Sequence, residues 1–125
     1  AAATVDDLTP LKITFGRMQR LIDVAAMAES LEALRDQPTE VAYRALVALK
    51  GVGHWTASWT LIRAQGHYAY VGAADVALRA AVNAYYFGES GRAPVTAVDA
   101  TFGRYGSYSG AAAFYTLMRW AAEKY

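Results

Sequence analysis

The stretch LKGVGHWTA at residues 49–57 decides the fold of this chain. A Gly-x-Gly corner between two runs of helical spacing predicts a hairpin that gathers several backbone N–H groups at the start of its second helix. Those amides, with the helix dipole behind them, form a site that suits a phosphate. Glycine permits a positive φ there and leaves no Cβ between the backbone and the phosphate. An ordinary helix–turn–helix corner uses the same residues, so the motif alone leaves both interpretations open.

Helical spacing of apolar residues continues on both sides of the hairpin. We predict helices over residues 14–28, from Pro38-Thr39 to the hairpin, over 54–65 up to Gly66, from a capping Asp75 to about Tyr86 and over about 110–123, with a short helix after the loop at 88–94. The predicted buried positions are Met18, Leu21, Ile22, Ala25 and Ala28 or Met27 in the first helix and Val41, Ala45, Leu46 and Ala48 in the second. Residues 68–71 are predicted to be extended, and the backbone from Gly103 to Gly110 to be irregular. With no internal repeat and no strand pair, the predicted fold class is all-α.

Length and composition exclude several classes of protein. The 125 residues allow one domain or a piece of one, and 55% hydrophobic against 18% charged residues can bury a core. The absence of cysteine excludes disulfides, iron–sulfur clusters and a cysteine nucleophile. The two histidines, His54 and His67, have no metal-ligand spacing. No apolar run is long enough to span a membrane and no signal peptide is apparent. We therefore expect a soluble protein without a membrane partner.

Charge and aromatic residues are distributed unevenly along the chain. Residues 1–40 carry four basic and seven acidic side chains, whereas residues 41–125 carry eight basic and four acidic ones. All aromatic residues except Phe15 lie beyond residue 41. A basic and aromatic half is compatible with nucleic acid, because cations contact phosphates and rings stack on bases. Many ordinary domains share this bias, so it does not establish the partner.

The hairpin in its context resembles the helix–hairpin–helix of DNA repair glycosylases, whose pattern is Leu-Pro-Gly-Val-Gly-x-x-Thr-Ala. The resemblance continues through VGAADVALR at residues 71–79, and the spacing to Asp75 suits the group that includes 3-methyladenine DNA glycosylase II. The stretch YSGAAAFYTLMR at 108–119 is similar to that group's closing helix. Lys50 stands where the family usually has proline, and Tyr108 with Ser109 replaces a Trp-Arg pair.

The resemblance covers nearly the whole chain and implies its place in a larger protein. It predicts that residues 1–125 form a single helical domain, the C-terminal part of a glycosylase core, with the helix–hairpin–helix at about 39–65. The family has several helices upstream of the position of Ala1. We therefore expect the 125 residues to need a further N-terminal segment or another chain, and their activity alone is in doubt. If the source is bacterial, the expected location is the cytoplasm, in association with the nucleoid.

The resemblance also implies a reaction. Such enzymes flip a damaged nucleotide out of the duplex, hydrolyse the N-glycosidic bond of an alkylated purine and leave an abasic site for base excision repair. Asp75 matches the catalytic carboxylate, which stabilises positive charge at C1′ and orients water. Its alternative role is that of a plain N-cap. Trp55 stands where strand-cleaving members have a lysine that forms a Schiff base, so a monofunctional enzyme is predicted.

Further roles follow from the same resemblance. Trp55 would border the base pocket, where its π-face attracts a cationic purine. Its expected companions are Trp120 and Tyr108, with Tyr115 a further candidate, near a family wall that falls at Leu117; Trp59 is expected in the core. The residues expected to contact duplex DNA are Lys50, Gly51, Gly53, His54 and Thr56. A sodium or potassium ion would bind the main-chain carbonyls of Val47, Leu49 and Val52. No cofactor is expected to be required.

Two other functions remain open from the sequence. The hairpin could belong to a non-catalytic module that binds duplex DNA without sequence preference. The whole chain could also be a helical scaffold whose glycines are incidental, although the hairpin, Asp75 and the terminal helix together argue against it.

Overall fold

Helices account for the regular structure of residues 3–125, the part of the chain that the computed structural model describes. The α-helices are α1 (Phe15–Ala26), α2 (Ala28–Glu32), α3 (Thr39–Val47), α4 (His54–Thr60), α5 (Val76–Val82), α6 (Val95–Gly103) and α7 (Ser109–Lys124). Single 3-10 segments occupy Asp6–Leu11, Ala33–Asp36 and Gly106–Tyr108, and wider π turns extend α4 over Leu61–Gln65 and α5 over Asn83–Phe87. These residues contain no strand, so the all-α prediction is confirmed.

Glycines end both of the extended helices, as predicted for the first of them. Gly66 has φ 73° and Gly88 has φ 68°, a left-handed conformation that side chains disfavour. Beyond Gly66, the His67 N–H donates to the carbonyl of Leu61 at 2.9 Å. This bond closes the wide turn, and the non-helical segment at 68–71 follows it.

Two apolar clusters hold the helices together. The larger lies among α4, α5, α6 and α7 and consists of Trp59, Ile62, Val71, Ala73, Leu78, Val82, Ala93, Val98, Phe102 and Ala113. The smaller joins α3 to α4 through Ala42, Leu46, Ala57 and Leu61. The helix that begins at the hairpin therefore contributes to both clusters. Its position is fixed from two sides.

The predicted buried faces of the first two long helices are partly wrong. In α1 only Met18 is buried, and Leu21 is 49% exposed because no described element covers it. In α3 the buried residues are Ala42 and Leu46, whereas Val41 is 47% exposed. Residues 42 and 46 are one turn apart and face α4, so the contact side is rotated by about one residue from the prediction.

The segment from Gly103 to Gly110 is more regular than predicted, because α7 already begins at Ser109. The start of α7 lies directly against the extended segment. The Gly110 N–H donates to the carbonyl of Tyr68 at 2.7 Å, and a Cβ at this glycine would lie 2.8 Å from the same oxygen. Only glycine permits this approach.

Among the helices described between residues 3 and 125, none has the length and apolarity needed to cross a bilayer.

Candidate active site

Asp75 is held by three hydrogen bonds that engage both of its carboxylate oxygens. Oδ1 accepts from the backbone N–H groups of Ala77 and Leu78, each at 2.9 Å, which is the geometry of an N-cap. Oδ2 accepts from the indole Nε1 of Trp55 at 2.9 Å. The half-buried carboxylate is therefore fixed between the start of α5 and the first turn of α4. The predicted cap is present, and its second oxygen is aimed at the hairpin helix.

The hairpin between α3 and α4 leaves a row of backbone donors free. Gly51 has φ 85°, and the Val52 N–H donates back to the carbonyl of Leu49 at 3.0 Å. The first intrahelical bond of α4 is donated by Ala57. Within residues 3–125 the N–H groups of residues 54–56 meet no acceptor. These are the amides that a phosphate would use.

The side chain of His54 ties the hairpin to the segment that precedes Asp75. Its Nε2 lies 2.8 Å from the carbonyl of Val71, which can only accept, so Nε2 carries a proton. Its Nδ1 lies 2.9 Å from the hydroxyl of Tyr43. With both ring nitrogens engaged, the backbone N–H is the group of this residue that remains free for DNA. Sequence spacing contained no sign of the Val71 contact, which joins residues 17 positions apart.

A stacked tyrosine pair continues this network on the α3 side. The rings of Tyr43 and Tyr70 are parallel, with centroids 4.1 Å apart. The Tyr70 hydroxyl donates to the carboxylate of Glu40. This hydrogen bond raises the pKa of Tyr70 to about 12 and, together with Arg44, holds the pKa of Glu40 below its usual range.

Asp75 lies between two hollows. A cavity of about 170 Å³ between α4 and α7, called here the inner cavity, is lined by Trp55, Trp59, Arg63, Asp75, Phe114, Leu117 and Met118. A wider cleft of about 570 Å³ is lined by Trp55, Ala74, Asp75, Val76, Ala77, Ala80, Arg92 and Trp120. Trp55 is 50% exposed and lines both hollows, as Asp75 does.

This arrangement of helices is shared with a solved structure. No family model matches the chain, and no curated protein matches it significantly. The structure of a 3-methyladenine DNA-glycosylase from Archaeoglobus fulgidus superposes with a TM-score of 0.81 at 26% sequence identity, covering 98% of this chain and 41% of that one. The chain has the fold of a helix–hairpin–helix DNA glycosylase. It spans about two fifths of the length of the matched chain and is thus its partial counterpart.

Within this glycosylase fold, the residues predicted for the base pocket lie in two different places. The structure brings Trp55 and Trp120 to Asp75, Trp120 on the side of the wide cleft. It does not bring Tyr108 there: Tyr108 ends the 3-10 segment before α7 and lines neither the inner cavity nor the wide cleft. Tyr108 is 64% exposed. It lines a separate hollow of about 390 Å³ together with Ile62, Tyr68, Ala111, Phe114 and Tyr115.

Other lining residues of the inner cavity were missed or underestimated. Leu117 lies where the resemblance puts the family's wall, and Phe114 and Met118 stand beside it on the same face of α7. The signal that could have found them is the spacing from Phe114, which is three residues to Leu117 and four to Met118. Trp59 is 7% exposed, as expected of a core residue, and its ring also forms the cavity wall.

Three arginines that the sequence did not assign to the site lie at it or at the hairpin. Arg63 lines the inner cavity and Arg92 lines the wide cleft. Arg20 of α1 lies against the hairpin, since a Cβ at Gly51 would be 2.8 Å from its Nε. Gly51 thus has a second requirement besides its positive φ: a side chain there would collide with the guanidinium of Arg20.

The carbonyls predicted to hold a monovalent ion are partly free of hydrogen bonds. Within residues 3–125 no group of three His, Cys, Asp or Glu residues could hold a metal. The carbonyl of Leu49 accepts the Val52 N–H, whereas those of Val47 and Val52 accept no hydrogen bond from the described residues. The ion itself stays a prediction.

Proposed function

We propose that this chain carries the catalytic part of a monofunctional DNA glycosylase that hydrolyses the N-glycosidic bond of alkylated purines in duplex DNA. The observation that supports this best is the carboxylate of Asp75, fixed by three hydrogen bonds at the mouth of a cavity beside a hairpin with free amides. The glycosylase fold agrees with it. The product is an abasic site, which makes the chain a component of base excision repair.

The chemistry requires one anionic group near C1′ of the flipped nucleotide. As the bond between base and sugar breaks, positive charge grows on the sugar, and the Asp75 carboxylate stabilises it. A carboxylate oxygen can accept two hydrogen bonds, and Oδ2 accepts one from the Trp55 indole, so a water can still bind Oδ2. That water attacks C1′ and loses its proton toward the carboxylate or solvent. The base sits in the inner cavity, with Trp55 on one side and Phe114 replacing Tyr108 as the proposed aromatic wall.

The hairpin would hold the DNA strand. The N–H groups of residues 54–56 receive a phosphate at the start of α4, assisted by Lys50 and the Thr56 hydroxyl. An ion on the carbonyls of Val47, Leu49 and Val52 would add positive charge at this position. Gly53 has open space where a Cβ would stand, so it leaves the approach free. These contacts are to the backbone and carry no sequence preference.

The lining of the site favours hydrolysis without strand cleavage. A lyase step needs a free amine that attacks C1′ and forms a Schiff base. Neither the inner cavity nor the wide cleft is lined by a lysine, and Trp55 occupies the hairpin position beside Asp75. Abasic sites should therefore accumulate with intact strands.

The test is base release from a duplex that holds one alkylated purine, followed by alkali to cut at abasic sites. Asp75→Asn should lower the single-turnover rate by roughly a hundredfold or more, because charge stabilisation is lost. Asparagine also caps helices, so the fold and DNA binding should persist. The matched control is Asp99→Asn at an exposed position of α6, which should retain activity.

Two outcomes would contradict the proposal. Undiminished base release by the Asp75→Asn variant would show that the carboxylate takes no part in the reaction. Binding of duplex DNA with no base release from any damaged substrate by the full-length protein would favour the non-catalytic module instead.

A further inference from the structure

Arg63 is the side chain of the inner cavity with free hydrogen-bond donors. Phe114, Leu117 and Met118 have none, and Trp55 already donates to Asp75. The Nε1 of Trp59 has no partner, but it is buried under Gly72, where a Cβ would lie 3.0 Å away. A base in this cavity would meet one cationic donor group, the guanidinium.

The helix geometry explains why this arginine reaches the cavity. Residues 55, 59 and 63 are spaced four apart and share the face of α4 and its wide turn. The ion pairs within residues 3–125 join Arg35 to Glu32, Arg44 to Glu40 and Arg119 to Glu123, so Arg63 is not engaged by a carboxylate. Its exposed side chain is free to turn toward a bound base.

The charge of the leaving base decides whether such a donor helps. A purine made cationic by alkylation takes the electron pair of the broken bond to C1′ and leaves neutral. A neutral purine takes the same pair and leaves as an anion, which must be stabilised until a proton from water reaches it. Arginine keeps its own protons at neutral pH, so it can donate hydrogen bonds to that anion without acting as an acid.

We propose that Arg63 stabilises the departing base and sets the lesion preference of the proposed glycosylase by charge. It donates to an acceptor on the edge of the base, which accelerates release of neutral purine lesions. For cationic lesions its positive charge brings no such gain. This inference rests on the proposed function, since it assigns a role within the same reaction.

The experiment compares two duplexes that differ only in the lesion, hypoxanthine as the neutral base and 7-methylguanine as the cationic one. Arg63→Met keeps the length of the side chain and removes its donors. We expect hypoxanthine release to fall about tenfold to a hundredfold, the size of a lost charged hydrogen bond, and 7-methylguanine release to change less than about threefold. Arg63→Lys should restore part of the loss. The control variant is Arg104→Met. In the unmodified protein the Arg104 guanidinium lies over the rings of Tyr86 and Tyr105.

The ratio of the two rates distinguishes the possible failures. A folding defect or a lost phosphate contact lowers both rates together and leaves their ratio unchanged, which would overturn the role of Arg63 while the glycosylase proposal stands. Release of 7-methylguanine alone by the unmodified protein would overturn it as well. If the unmodified full-length protein releases neither base, nor any other damaged purine, the proposed function itself fails.

Discussion

The corner formed by α4 and α5 and the first helix α1 are packed in opposite ways. Ala57 and Leu61 in α4 and Leu78 in α5 are fully buried, and α4 joins both apolar clusters. In α1 a single residue is buried, and Phe15 is 67% exposed. The difference shows that Asp75 and Trp55 are held by contacts within the described chain. The position of α1 contributes little to the site except through Arg20.

The largest expected contrast between the two regions is in stability. Leu78 of α5 is fully buried in the larger cluster, so Leu78→Ala should lower the free energy of unfolding by about 2–5 kcal/mol. Phe15→Ala removes a ring that is mostly in solvent and should change it by less than about 0.5 kcal/mol. Urea denaturation of both variants measures the difference. A comparable loss in Phe15→Ala would show that α1 is packed in solution as firmly as the corner.

The sequence predicted the corner better than it predicted α1. Local signals sufficed for the glycine hairpin, the Asp75 cap and the Gly66 stop, because each depends on neighbours within a few residues. The predicted buried side of α3 was partly wrong because Val41 stands next to Ala42 and Ala45 next to Leu46, so faces one residue apart look equally apolar. The bond from His54 to Val71 and the hollow that holds Tyr108 depend on how distant segments dock, which no local spacing encodes.

The next contrast concerns the contact between Arg20 of α1 and the hairpin. Arg20 lies against Gly51. If a phosphate binds at the hairpin, Arg20→Ala should remove about one phosphate contact. The plot of log binding constant against log salt should then lose about 0.9 from its slope on undamaged duplex DNA. Arg20→Lys should keep the slope, and Arg17→Ala, one turn earlier on exposed α1, should leave it unchanged.

Equal salt-dependence slopes for Arg20→Ala and Arg17→Ala would instead show that these residues of α1 do not contact the DNA. Of the two regions compared, the hairpin would then supply the contacts to the DNA strand.

The smallest expected effect lies in the tyrosine network behind the hairpin, which has no counterpart in α1. The hydrogen bond to Glu40 raises the pKa of Tyr70 from its ordinary value of 10 to about 12. A raised folded-state pKa means that this contribution to stability is complete below pH 10 and is lost as the pH rises toward 12. Tyr70→Phe cannot titrate, so its denaturation midpoint should fall less than that of the unmodified protein over this range. Tyr115→Phe, whose ring is 74% exposed, should follow the unmodified curve. A flat response in both proteins would mean that the hydrogen bond from Tyr70 to Glu40 does not stabilise the folded state.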